Sequence, residues 1–247
     1  MLIHLALLLT GCSACKLATP IHETQPNSEQ RDSDQADQLS DNSSVLQASQ
    51  DLANDFNSVN KLQANYQALK KKFAAKAGNN RDPSFVGIQG MKDSLRKRNM
   101  AGDGDLNKFI AWAQAGDWKQ FGPSYHHYDW WMFPIDRSSS GQGLKFTVYQ
   151  QDIQALKADQ EFLKDYRLGA ILLIQSWGWD VKNKYNYAHP APGQKWRNWD
   201  VRLGKLAHSL ILFEQWDLYD SLKAYVKQLT QNNISLEAWV QAYFANL

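Results

Sequence analysis

The stretch FLKDYRLGAILLIQSW, residues 162–177, decides the fold class. Phe162, Tyr166, Leu168, the run Ala170 to Ile174 and Trp177 leave almost no polar face. A helix apolar on nearly every side belongs at the centre of a packed domain. Gly178 ends it. No run of 18 or more apolar residues occurs anywhere, so this is a core element and not a bilayer span. Working outward, Asp180 to Asn198 holds Pro190, Pro192 and Gly193 and reads as a loop. Helical periodicity then returns over about Asp200 to Glu214, Leu218 to Thr230 and Ser235 to Phe244, with Ser235 as N-cap. Upstream, Thr147 and Gln150 suggest a capping box opening Val148 to Ala158. Leu106, Phe109, Ile110 and Ala113 line one face of a further helix. There are no clear alternating strands and no Gly-rich phosphate loop. The pattern predicts an all-α, compact bundle of about six helices over residues 101–247.

Composition fits that reading. The chain has 247 residues, 43% hydrophobic and 21% charged, with a formal net charge of +2. Such a chain buries a core over most of its length. All ten tryptophans fall between Trp112 and Trp239, so the aromatic domain is appended to something different.

Residues 45–100 form the part of that preceding region next to the domain. Leu52, Phe56, Val59, Leu62, Tyr66, Leu69 and Phe73 recur at spacings of three and four. This predicts one long amphipathic helix over 45–77, ended by Gly78-Asn79-Asn80. It either docks on the domain behind it or self-associates as a short coiled coil. Lys70, Lys71, Lys72, Lys76, Arg81, Lys92, Arg96, Lys97 and Arg98 then stand against Asp82 and Asp93. That segment is either a solvated face or a contact for anionic lipid headgroups. Its lack of interleaved aromatics argues against nucleic acid as a partner.

The first twelve residues, MLIHLALLLTGC, carry an apolar run that reads as a secretory signal. Leu9-Thr10-Gly11-Cys12 looks like a bacterial lipobox. Residues 1–11 would then be removed and Cys12 acylated on its thiol and its new amino terminus. Three acyl chains hold a protein on a membrane essentially permanently, at about 0.8 kcal/mol per buried CH₂. Cleavage before Cys15 would instead put Cys12 where an aliphatic residue belongs. The signal has no Lys or Arg and is short, which is compatible with a start codon further upstream. Ser13 after the lipid site, in place of Asp, suits sorting to the outer membrane of a Gram-negative host, on its periplasmic face. Residues 12–44 read as a lipidated, disordered tether. From Lys16 to Ser44 there is no Phe, Trp, Tyr or Val, and six acids face two bases. Such a stretch offsets little chain entropy. Setting aside its charge of −4, the whole-chain value of +2 leaves +6 on residues 45–247. No cysteine lies beyond Cys15, so the folded part has neither a disulfide nor a thiol nucleophile.

The segment His126-His127-Tyr128-Asp129-Trp130-Trp131-Met132-Phe133-Pro134 fits H-x-Y-x-x-W-[LM]-F-P. It resembles the signature of the opioid growth factor receptor conserved region. Phe146-Thr147 with Asp152-Ile153-Gln154-Ala155-Leu156 is similar to that family's T-x-x-D-I-Q-x-F helix start. Leu168 to Trp179 is similar to its apolar helix ending in Gly. Arg202-Leu203-Gly204-Lys205-Leu206-Ala207-His208-Ser209-Leu210 aligns with its R-I-T-R-I-L-x-S-L helix. The resemblance covers roughly Phe109 to Leu229, and the W-M-F-P block is its most specific part. Its family-motif positions are His126, Tyr128, Trp131, Phe133, Pro134, Arg202 and Lys205. This chain departs from the pattern at Asn198-Trp199, where the family has His-Asn, at Gly204 for Thr, and at Lys205 for the second Arg. The resemblance implies an all-α domain. In animals the family is linked to binding an enkephalin peptide, a ligand with no evident use on a bacterial lipoprotein. The fold is carried over and the ligand is not.

Several constellations are candidates for chemistry. Trp131, Met132 and Phe133 before Pro134 read as core at a helix end, with Pro134 setting a turn. Trp177, Trp179, Tyr185, Tyr187, Trp196 and Trp199 surround the proline-rich loop. They are the preferred binding residues, because indole and phenol rings offer rigid area with a polar handle. His126, His127 and Asp129, with His189 and His208, match no standard zinc spacing. His126 more simply locks the aromatic segment by a hydrogen bond. Asp103-Gly104-Asp105-Leu106-Asn107 starts like a calcium loop but has Lys108 at the sixth position and Gln114 at the twelfth. It reads better as a turn and N-cap. Asp129, Asp136, Asp180 and Asp200 are potential members of a glycosidase acid pair. Ser138-Ser139-Ser140 has no nucleophile-elbow context. The expectation is a lipid-anchored, non-enzymatic binding or interaction domain, with no cofactor and no metal. Its ligand would be an envelope protein, peptide or glycan. The alternative is a cell-envelope hydrolase using His126, His127 and Asp129.

Overall fold

The computed structural model describes residues 28–96, 105–122 and 127–245, with side chains from residue 41 onward. Cys12, the signal segment, most of the tether, Lys97, Arg98, Asp103, Gly104 and His126 lie outside the described residues. The chain is mostly helical, as the periodicity predicts. In order come α1 (Ser28–Asn54), α2 (Asn57–Leu62), a 3₁₀ turn (Gln63–Tyr66), α3 (Gln67–Lys72), α4 (Gly87–Leu95) and α5 (Asp105–Gln114). After 3₁₀ turns at Trp118–Phe121 and Tyr128–Trp130 come α6 (Gln150–Ala158) and α7 (Gln160–Gln175). Two residues each of β1 (Trp179–Asp180) and β2 (Tyr185–Asn186) pair antiparallel, Trp179 against Asn186. The chain closes with α8 (Asp200–Leu212), α9 (Trp216–Gln231) and α10 (Ala238–Gln241).

The central helix is α7, where every residue from Asp165 to Gln175 is buried. It starts on Asp159, whose carboxylate accepts the N–H groups of Glu161 and Phe162 at 3.0 Å. It ends at Gln175, and the turn that follows closes on Gly178, which takes a left-handed φ of +85° that a side chain would strain. Around it pack α1, α5, α6 and α9. Among its buried residues are three polar ones, Asp165, Arg167 and Gln175, and Arg167 is the most deeply buried of them. Arg167 is fully buried and its guanidinium donates to the carbonyls of Leu52, Ala53 and Asp55, to Gln215 Oε1 and to both oxygens of Asp217, all at 2.8–3.0 Å. One side chain thus closes the C-terminus of α1, where helix carbonyls lack partners and a cation is favoured, and fixes the start of α9.

That capture corrects the single long helix expected over 45–77. The helix is broken after Asn54 because Arg167 takes its terminal carbonyls, and short turns follow to Lys72. The apolar positions point into the domain: Leu46, Ala53, Val59, Tyr66, Leu69, Met91 and Leu95 share one buried core with the later helices. Residues 45–96 are therefore packed as part of the helical domain, and the apolar face expected to self-associate is used within the chain. At the other end, α1 extends back to Ser28, into the stretch whose composition suggests a tether. Asn42, Leu46, Ser49 and Ala53 are buried, and Ser49 Oγ donates to Gln175 Oε1 at 3.0 Å. A docked C-terminal half supplies the nucleus from which a polar helix propagates backward. The basic run is also partly consumed by ion pairs: Lys70–Glu214 at 2.9 Å, Lys92–Asp159 at 2.6 Å and Arg96–Asp165 at 2.9 Å.

Two expected caps differ. Thr147 Oγ1 donates to the Arg137 carbonyl, and α6 is opened instead by Asp152, which accepts from Tyr149 N–H at 2.9 Å and Asn80 N–H at 2.8 Å. Ser235 precedes α10, whose N-cap is Glu237.

Candidate functional site

The W-M-F-P block is held by its neighbours on both sides. Met132 and Phe133 are fully buried, and Ser209 Oγ of α8 donates to the Pro134 carbonyl at 2.9 Å. Trp131 Nε1 reaches Asp105 Oδ2 at 2.5 Å, and Tyr128 OH donates to the Phe121 carbonyl at 3.0 Å. These anchors leave Asp129 and Trp130 on the side that meets the first turns of α8.

Helix α8 begins after Asn198, a non-glycine residue at φ +57°, and Trp199. Arg202 and Lys205 are three residues apart and so share a face. Arg202 lies between two rings, 3.8 Å from the Tyr128 centroid and 3.5 Å from that of Trp199, and donates to the Phe121 carbonyl at 3.1 Å. Lys205 Nζ sits 3.0 Å from the Trp130 centroid and is ion-paired with Asp129 Oδ2. Burial holds both cations below their ordinary pKa, and the Asp129 charge opposes that shift in each.

Beside this pair opens a cavity of about 450 Å³, lined also by His127, Ser139, Ser140, Gly141, Gln142, Trp199, Asp200, Val201 and Glu237. Such a volume lies in the range of about 300–1,000 Å³ usual for small-ligand pockets. Glu237 arrives from the start of α10, tied by its N–H to Asp200 Oδ2 at 2.5 Å. Trp239 beyond it donates its indole N–H to the Glu237 carboxylate. Trp239 also covers Gly204 so closely that any side chain at 204 would collide with its ring. A larger apolar groove, about 890 Å³, runs along α9 beside Ile234, Leu236 and Phe244. It contains no buried charge pair.

The aromatic residues selected from sequence separate into different places. Trp177 and Trp179 are buried, which corrects their assignment as binding residues. Trp177 stacks on Tyr225 at 5.8 Å and meets Trp196 edge-on at 5.5 Å. Trp179 Nε1 donates to Ser221 Oγ at 3.0 Å. They are core because the hairpin folds the proline-rich loop back over α9. Tyr187 is largely covered, with its phenol pushed up by burial, and Tyr185 is exposed. Of the six, only Trp199 lines the cavity.

The four aspartates considered as acid partners also part company. Asp129 and Asp200 share the cavity. Asp180 closes the hairpin turn by accepting Asn183 N–H at 2.9 Å. Asp136 is buried against His208, with Oδ1 3.4 Å from Nε2, and accepts the Lys76 N–H at 3.2 Å. The His208 ring stacks on Tyr243 at 5.2 Å, and burial pushes its pKa down to about 4. Ser139 Oγ is engaged by the N–H groups of Gly141 and Gln142. His127 lines the cavity and His189 is exposed in the loop. Among the described residues no three His, Cys, Asp or Glu side chains converge as a metal site.

Sequence reasoning had no signal for Glu237, which comes from a different helix, or for Trp130 as a partner of Lys205. Asn198 was visible only as a departure from the family pattern. No family model matches the chain, and neither a curated protein nor a solved structure does.

Proposed function

We propose that this protein is a membrane-anchored lipoprotein presenting a non-enzymatic helical binding domain, with the Asp129–Lys205 cavity as its recognition site. The observation that carries the reading is a buried ion pair left at the wall of an open cavity. Burying two charges costs several kcal/mol per ion, so such a pair is weak as a stabilising device. Beside a ligand-sized volume it supplies fixed polar groups in an aromatic surround, which is how small-molecule sites gain orientation and specificity. The resemblance to the opioid growth factor receptor conserved region supports the same location. Its most specific block, His126 to Pro134, contributes Tyr128 and Asp129, and its weaker alignment over Arg202 to Leu210 contributes Arg202 and, as a departure from the family's second Arg, Lys205.

Anchoring is assigned to Cys12, placing the domain on the bacterial cell membrane, and on the periplasmic face of the outer membrane in a Gram-negative host. Among the described residues no helix is long and apolar enough to cross a membrane. Cys12→Ser should release the protein into the soluble fraction, and unchanged membrane retention would overturn the anchor. For the site, native mass spectrometry of the protein captured from its own envelope should show a bound small molecule. Trp199→Ala should lose it; equal retention by both proteins would move the site elsewhere.

A hydrolase is favoured by one observation, that His127 and Asp129 line the same cavity. Yet Asp129 is committed to Lys205, and Ser139 Oγ to a turn. Turnover of peptidoglycan or an ester by the purified protein, lost in His126→Ala/His127→Ala without unfolding, would establish that alternative.

A further inference from the structure

We infer that the ligand of the Asp129–Lys205 cavity is a saccharide, an inference that rests on reading this cavity as the recognition site. The argument turns on which polar groups are already committed. Lys205 is paired with Asp129 and lies on Trp130, while Arg202 is stacked between Tyr128 and Trp199 and bonded to the Phe121 carbonyl. Both cations are therefore engaged by the protein. Three carboxylates, those of Asp129, Asp200 and Glu237, each use one oxygen internally. Their second oxygens, Asp129 Oδ1, Asp200 Oδ1 and Glu237 Oε1, have no hydrogen-bond partner among the described residues.

Two cations, Arg202 and Lys205, stand against three carboxylates, those of Asp129, Asp200 and Glu237, so the acids outnumber the bases at this cavity. A phosphate or carboxylate ligand would meet three carboxylates and two occupied cations, so an anion is disfavoured. A polyamine would suit the carboxylates but only donates. The same wall carries donors that a ligand can reach: the side-chain amides of Asn198 and Gln142, the Ser140 hydroxyl and the indole N–H of Trp199, none with a protein partner among the described residues. Only a ligand whose groups both donate and accept satisfies both sets, and hydroxyls do so. Lys205 and Arg202 take one face of the Trp130 and Trp199 indoles, and the indole surface that remains at the cavity wall offers flat apolar area to the ring C–H groups of such a ligand. A polyhydroxylated ring, one or two sugar units in this volume, meets all three demands.

The test is calorimetric titration of the full chain with cellobiose, maltose and N,N′-diacetylchitobiose, alongside spermidine and inorganic phosphate. Saturable binding of at least one disaccharide is expected, with neither spermidine nor phosphate binding. Asp200→Asn/Glu237→Gln, which keeps the shape but turns two acceptors into amides, should weaken it about tenfold, equivalent to one charged hydrogen bond. The thermal midpoint of the variant, followed by circular dichroism, should stay near that of the wild type. Disaccharide binding that the variant leaves unchanged would overturn the inference. Spermidine or phosphate binding in place of any disaccharide would sink the saccharide class while leaving the cavity as the recognition site. Binding of none of the five, together with a pocket-dependent species in the envelope capture whose mass and fragmentation are not those of a saccharide, would do the same, whereas a captured saccharide would support the inference. Binding of none of the five with no pocket-dependent species would remove the site itself.

Discussion

Helices α7 and α8 each bury cations, and they use them differently. On α7, Arg167 is closed in by acceptors: three carbonyls, an amide oxygen and a carboxylate, with the Phe56 ring at 5.2 Å. No described cavity reaches it. On α8, Arg202 and Lys205 are held mainly by ring faces and one carboxylate, and a cavity opens beside them. A buried charge saturated by the backbone organises the chain. A buried charge held by side chains at an open wall keeps its surroundings available to a visitor. The type of residue is the same and its environment decides the role.

The sharpest way to break this contrast is Arg167→Met. It strands the Asp217 carboxylate and the carbonyls that end α1, and should cost about 3–5 kcal/mol, the usual range for breaking a buried pair. Urea unfolding would measure it; a loss below about 1 kcal/mol would mean Arg167 is no hub. His208 supplies a third kind of buried group, one kept neutral. Its folded pKa of about 4 lies below the unfolded value of about 6.5. Its contribution is therefore fully present above pH 6.5 and drains away as pH falls toward 4, reaching up to about 3 kcal/mol. His208→Phe should flatten stability over that window, while a slope left unchanged would assign it to other groups. Lys205→Met, which leaves Asp129 buried alone, should cost about 2 kcal/mol, less than Arg167→Met because the cavity admits water. Adding Asp129→Leu should restore most of that stability without restoring ligand binding. The smallest effects are at tryptophan. Trp179→Phe forfeits the bond to Ser221 and should cost about 1 kcal/mol. Trp199→Phe should change stability by under about 0.5 kcal/mol and weaken binding of whichever disaccharide the protein takes.

The central helix was legible because the run from Ala170 to Ile174 allows no other burial, and α8 and α9 followed from periodicity. Arg167 was hidden in that same run. A lone base in an apolar helix reads as a side chain that reaches the surface, and only the tertiary structure shows its acceptors coming to it. For the same reason the break after Asn54 was invisible: local pattern favours a continuous helix, and the side chain that ends it lies more than a hundred residues away. Within the site, Asp129, Trp199, Arg202 and Lys205 were each singled out, but for separate reasons. Nothing in their spacing joined Asp129 to Lys205. Trp177 and Trp179 show the converse limit of composition: a tryptophan near a loop can be a wall or a keystone, and its frequency in the sequence is the same in both cases.

The seating of Trp239 over Gly204 reaches beyond this one chain. Because the ring fills the space where a side chain at 204 would begin, a change at 204 is felt first at Trp239. A methyl group at 204 requires a smaller residue at 239, an indole swung aside or a displaced α10, and the last two disturb the Glu237 edge of the cavity, which the Trp239 indole N–H holds. In homologous sequences the sizes of these two residues should therefore covary inversely, and the identity of residue 204 should foretell which relatives keep an acid at 237.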